Sequence, residues 1–149
     1  MRLPSTPAHT LTGLNVRVPD DFTGRRNVVL VVFEKSHLLA LPPWQSVLRQ
    51  HVATVPGAGF YTLILIDDLP QWRRPLTEWA LRLEIADDDL LEDTAILWQS
   101  RRDWIEASAT PTTEDPLLLI ASSKGEVLAM APGLPKPVAT SRLIDALQS

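Results

Sequence analysis

Residues able to do chemistry cluster at one point, Glu34-Lys35-Ser36-His37, directly after the apolar run Val28-Val29-Leu30-Val31-Val32-Phe33. A histidine among carboxylates can serve as a general base or a metal ligand, because its ordinary titration lies near neutrality. Six apolar residues in a row suit a strand buried on both faces of a parallel sheet. Polar residues at the carboxyl end of such a strand stand where open α/β sheets hold their ligands. The same edge is expected to gather Asp67 and Asp68 after a second apolar strand, Gln99 and Arg101 after a third, and Asp115 before a fourth. The alternative is equally physical: every strand must turn polar where it meets water, and no site is then needed.

Other chemistries lack their residues. The 149-residue chain has no cysteine, which removes disulfides, thiolate nucleophiles, thiol peroxidase chemistry and cysteine metal sites together. Ser36-His37 lies outside any Gly-x-Ser-x-Gly elbow, and adjacent side chains rarely face each other. His9 and His51 share no metal-ligand spacing with His37. Gly57-Ala58-Gly59 precedes a strand and lacks a following Gly-Lys-Ser/Thr, so it reads as a helix stop and not a phosphate loop. The acidic stretch Asp87-Asp88-Asp89 with Glu92-Asp93 has no glycine bend and reads as a solvated turn, not a calcium loop. No cofactor is expected. Fourteen basic against 18 acidic residues, net charge −4, leave no surplus to neutralise phosphates, which disfavours nucleic acid. No run is long enough to span a bilayer, and a soluble cytoplasmic protein is expected.

The elements that must position the polar edge follow from periodicity. Residues 1–13, with two prolines and small polar side chains, read as a surface arm before a single domain over 14–149. Leu14 to Val18 alternates and reads as a short half-exposed strand. Leu41, Trp44, Leu48, Val52 and Val55 recur at one-face spacing, so a helix is expected, starting near Pro42 or kinked there. Phe60 to Ile66 is a second apolar strand, which implies a right-handed βαβ crossover. Pro75 then opens a helix whose Leu76, Trp79, Ala80 and Leu83 share a face, with Trp79 assigned to the core alongside Trp44. Trp72, beside Arg73 and Arg74, reads either as an exposed interface anchor or as simple packing. Thr94 to Trp98 is a third strand and Arg101 to Ala109 a short helix. Residues 116–121 and 126–131 form a hairpin, and a helix over 137–147 closes the chain.

This order, with Asp21-Phe22-Thr23-Gly24 before the first core strand and the hairpin Leu117 to Val127, resembles the thioredoxin-like superfamily in its peroxiredoxin-like elaboration. Phe33 with Trp44, Phe60-Tyr61, and Trp79 to Ile85 leading to Thr94-Ala95-Ile96-Leu97-Trp98 are further similar to the mitochondrial ATP synthase assembly factor and its bacterial relatives. The resemblance implies an α/β three-layer sandwich with strand order 94–98, 60–66, 28–33, 116–121, 126–131. Where redox relatives carry Cys-x-x-Cys, this chain has Ser36-His37-Leu38-Leu39, so none of their thiol chemistry carries over. Pro116 falls near the family's cis-proline. The expectation is therefore a cysteine-free, redox-inactive thioredoxin-like module binding protein, itself or another. The alternative is an enzyme with non-thiol chemistry near His37.

Overall fold

The computed structural model describes residues 2–66, 70–85, 93–108 and 114–149. Seven strands form one mixed sheet: β1 Thr6–Thr10, β2 Asn15–Val18, β3 Arg26–Val32, β4 Ala58–Ile66, β5 Thr94–Trp98, β6 Leu117–Ser122 and β7 Val127–Pro132. Their order is β2-β1-β5-β4-β3-β6-β7. The five strands whose order was expected stand in that order, and the short strand expected over 14–18 is β2. β3 runs parallel to β4 and antiparallel to β6, and β4 runs parallel to β5.

β3 is central because both its faces are covered. Val28, Leu30 and Val32 join one core with Trp44, Leu48, Leu81 and Leu143, while Val29, Val31 and Phe33 join a second with Phe22, Leu97 and Trp104. Every one of these side chains is buried. At roughly 1.5–3 kcal/mol for each large apolar side chain removed from water, this strand is the main anchor of the fold. Helices α1 Leu41–Thr54, α2 Arg74–Glu84 and α4 Pro137–Gln148 contribute to the first core, and α3 Arg101–Ser108 contributes Trp104 to the second.

A 3-10 helix, Lys35–Ala40, precedes α1, and Pro42-Pro43 sit in the first turn of α1. Prolines there cost nothing, since first-turn amides have no intrahelical acceptor. The helix therefore starts at the proline pair and is not kinked by it. The β6–β7 hairpin turns through Gly125 at φ 82°, and a Cβ there would collide with the Pro19 ring. Gly125 also accepts the Leu3 amide at 2.7 Å, which ties the chain's start to the hairpin.

Two expectations are corrected. The segment expected to be a surface arm contains β1, which pairs with β2 and lays His9 and Thr10 against Ile96 and Ala95 of β5. Alternation drives this: Ala8 and Thr10 point inward and are buried. Trp79 is not core but 59% exposed, because α2 seats Leu81 inward and turns its larger apolar residues outward. Among the described residues the cis peptide bond is Val18–Pro19, not Asp115–Pro116. The acidic stretch 87–92 lies outside the described residues.

Candidate functional site

At the end of β3 the chain turns sharply, and His37 holds the turn. The main-chain amide of Phe33 donates to its Nδ1 at 3.1 Å, and its Nε2 lies 2.9 Å from the Glu114 carbonyl oxygen. A ring accepting at Nδ1 and facing a carbonyl at Nε2 carries its proton on Nε2. The ring is buried and stands edge-on to Phe33. Both nitrogens are thus committed to main chain. His37 joins the end of β3, the 3-10 helix and the segment before β6.

Glu34 is the hub of the exposed polar groups. Ser36 Oγ donates to its Oε1 at 2.8 Å, and Arg101 Nη2 to its Oε2 at 3.2 Å. His37 Nε2 lies 3.4 Å from Oε1. The Ser36 hydroxyl, followed by the Arg101 guanidinium, holds the Glu34 carboxyl below its ordinary value of 4.5. Lys35 reaches the other way, its Nζ 2.7 Å from Glu84 Oε1 on the last turn of α2.

Between these two pairs opens a groove of about 400 Å³. Phe33, Leu38, Ile64 and Leu81 give it apolar lining, Thr77 and Ala80 of α2 line it further, and Glu34, Lys35, Glu84 and Arg101 stand in its polar part. The two acids and two bases pair with each other, so the mouth has no net charge to attract a phosphate or a cation. Ser36 is held by its hydrogen bond to Glu34. The arrangement can take up an apolar side chain and satisfy polar groups beside it. Among the described residues no cluster of three His, Asp or Glu could hold a metal ion.

The residues singled out in the sequence therefore separate. Glu34, Ser36, His37 and Arg101 come together; Lys35 joins them across the groove. Asp115 is exposed, and its neighbour Glu114 contributes a carbonyl in its place. Gln99 is half-buried, with Oε1 lacking a hydrogen-bond partner among the described residues. Asp67 and Asp68 lie outside the described residues. Trp72 is 73% exposed, with the Arg73 guanidinium 5.6 Å from its ring. Sequence reasoning missed Leu38, Leu81 and Glu84 as groove residues. The one-face spacing read on α2 pointed away from Leu81, to the side exposed to water.

No protein-family model and no curated protein matches the sequence. Solved structures do resemble the fold. BsSco, a member of the Sco family of cytochrome c oxidase assembly proteins, superposes with a TM-score of 0.68 at 10% identity, over 99% of this chain and 91% of that one. The thioredoxin domain of a thiol-disulfide oxidoreductase from Bacteroides vulgatus gives 0.61 at 16% identity, over 99% and 94%. StoA from Bacillus subtilis gives 0.56 at 14%, over 96% of each chain. At such identities the likeness concerns architecture. The chain has a mixed α/β thioredoxin-like fold built without a single cysteine.

Proposed function

We propose that this chain is a redox-inactive thioredoxin-like module that binds a segment of another protein in the groove between the 3-10 helix and α2. The observation that carries the reading is the coexistence of an apolar-lined groove with neighbours that have no chemistry to spare. His37 is engaged at both nitrogens, Ser36 and Arg101 are bound to Glu34, and Lys35 is bound to Glu84. An extended segment would place one apolar side chain against Leu38, Ile64 and Leu81 and its peptide groups against the charged rim.

The sequence resemblance to the mitochondrial ATP synthase assembly factor supports an assembly role for such binding. So does the likeness to BsSco, a member of a family of cytochrome c oxidase assembly proteins. The alternative of non-thiol catalysis at His37 would need a ring nitrogen facing the groove, and neither is spare.

Selection from a displayed peptide library tests this. Enriched peptides should share an apolar anchor and lose binding to Thr77→Trp, which fills the groove from α2. Failure to enrich any sequence, or equal binding by the filled variant, overturns the reading. In an insulin-reduction assay the protein should show no turnover above buffer.

A further inference from the structure

The helix that lines the groove shows a second face to water. Trp72, Leu76, Trp79 and Leu83 are 73%, 66%, 59% and 63% exposed, while Leu81 on the other side is buried. On α2, Leu76, Trp79 and Leu83 have the three-and-four spacing of a coiled-coil seam, and Trp72 precedes them in the 3-10 turn Gln71–Arg73 that leads into the helix. Amphipathic helices turn such stripes inward, and contiguous exposed apolar patches of this kind mark interaction sites.

We infer that the stripe is a dimer seam, with α2 packed antiparallel against α2 of a second copy of this chain. Layering supports it. The antiparallel arrangement sets Trp72 against Leu83 and Leu76 against Trp79, so each layer pairs a large side chain with a smaller one, whereas a parallel arrangement stacks Trp on Trp and Leu on Leu. Charge supports it too. Arg73 and Arg74 crowd the amino end of α2, where the helix dipole disfavours cations, and Glu84 closes the carboxyl end. Antiparallel packing brings each basic end beside the partner's terminal carbonyls. Along the flanks Arg73 falls opposite Ala80, and Arg82 opposite Pro75, so no like charges meet.

Area agrees with a second copy. Two tryptophans and two leucines at these exposures offer about 500 Å² per copy, on the scale of ~150–250 Å² for a whole aromatic side chain. Two copies then bury about 1,000 Å², the lower bound for a specific interface. A twofold axis closes the assembly at two chains. The seam faces away from Leu81 and meets the groove only at its edge, at Ala80.

Sedimentation equilibrium of the full chain at micromolar concentration should give twice the chain mass. Trp79→Glu should raise the dissociation constant by about 100-fold or more, as hot-spot truncations do, without altering the circular dichroism spectrum. Val138→Glu, at an equally exposed position on α4, should change nothing. Because the chain has no cysteine, introduced thiols report alone. Mild oxidation of a mixture of Arg73→Cys and Ala80→Cys variants should yield the mixed disulfide, and neither variant alone should cross-link. A wild-type monomer across this range, dimerisation unaffected by Trp79→Glu, or a monomer that instead binds phosphatidylglycerol vesicles through the stripe overturns the proposal. Trp79→Glu leaves every groove residue in place, so peptide binding fails or survives independently of the seam.

Discussion

His37 Nε2 donates to the carbonyl of Glu114, 77 positions further along the chain, across 2.9 Å. This bond, with the Phe33 amide bound to Nδ1, makes the ring a structural tie. His37→Ala should leave a buried amide and a carbonyl without partners and destabilise the protein by about 2–4 kcal/mol in urea unfolding, at one to three for each orphaned group with partial rehydration. His37→Gln, which can offer an acceptor and a donor, should recover part of that loss.

Glu34 gives a defined pH dependence. Its carboxyl is held below 4.5 by Ser36 and then Arg101. A group with a depressed folded-state value contributes stability above its unfolded value and loses it as pH falls through the folded one. Wild type should therefore be more stable than Glu34→Gln above about pH 5, given the ordinary carboxylate range, and the two should converge in more acidic solution. Urea titrations of both proteins across that interval check this, and a constant difference at every pH would contradict it.

Asn27 supports the turn into β3 from inside the core. It is fully buried; its Oδ1 accepts the Gly24 amide at 3.1 Å, and its Nδ2 donates to the Gly24 carbonyl at 2.8 Å. Asn27→Asp keeps the shape but removes the donor and buries a charge, so it should cost more than 3 kcal/mol, or about that with proton uptake. Gly24→Ala should be costly as well, since its Cβ would collide with Asn27 Oδ1. Thermal unfolding of both variants reads these effects.

Trp44 joins α1 to the loop after β7. It is completely buried, and its Nε1 donates to the Gly133 carbonyl at 2.8 Å. Trp44→Phe removes the donor and part of the ring together and should cost about 2–4 kcal/mol, the hydrogen bond and the cavity each contributing. The loss should appear as a lower urea midpoint at unchanged slope.

The sheet was legible because β3 to β7 announce themselves in unbroken apolar runs, and buried β-branched residues leave little choice of place. β1 was not, since Pro7, His9 and two threonines surround one inward alanine, and only pairing with β5 gives the segment its role. On α2 the spacing of Trp79 and Leu83 marked an apolar stripe correctly but could not say which molecule covers it. Periodicity reports that a face avoids water; it carries no direction towards one's own core. At the site, Glu34, Ser36, His37 and Arg101 were found because strand ends converge in any parallel sheet. Glu114 was not, because it acts through a main-chain carbonyl, a group every residue owns.

The hairpin formed by β1 and β2 also decides how the sheet stops growing. Without it β5, a strand of buried apolar residues, would present unpaired amides and carbonyls to any neighbouring chain, the usual template for fibrillar stacking. With it, that border passes to β2, four residues long, carrying Arg17 and ending against Pro19. Removing residues 2–18 should thus convert a well-behaved solution into one that deposits thioflavin-positive material.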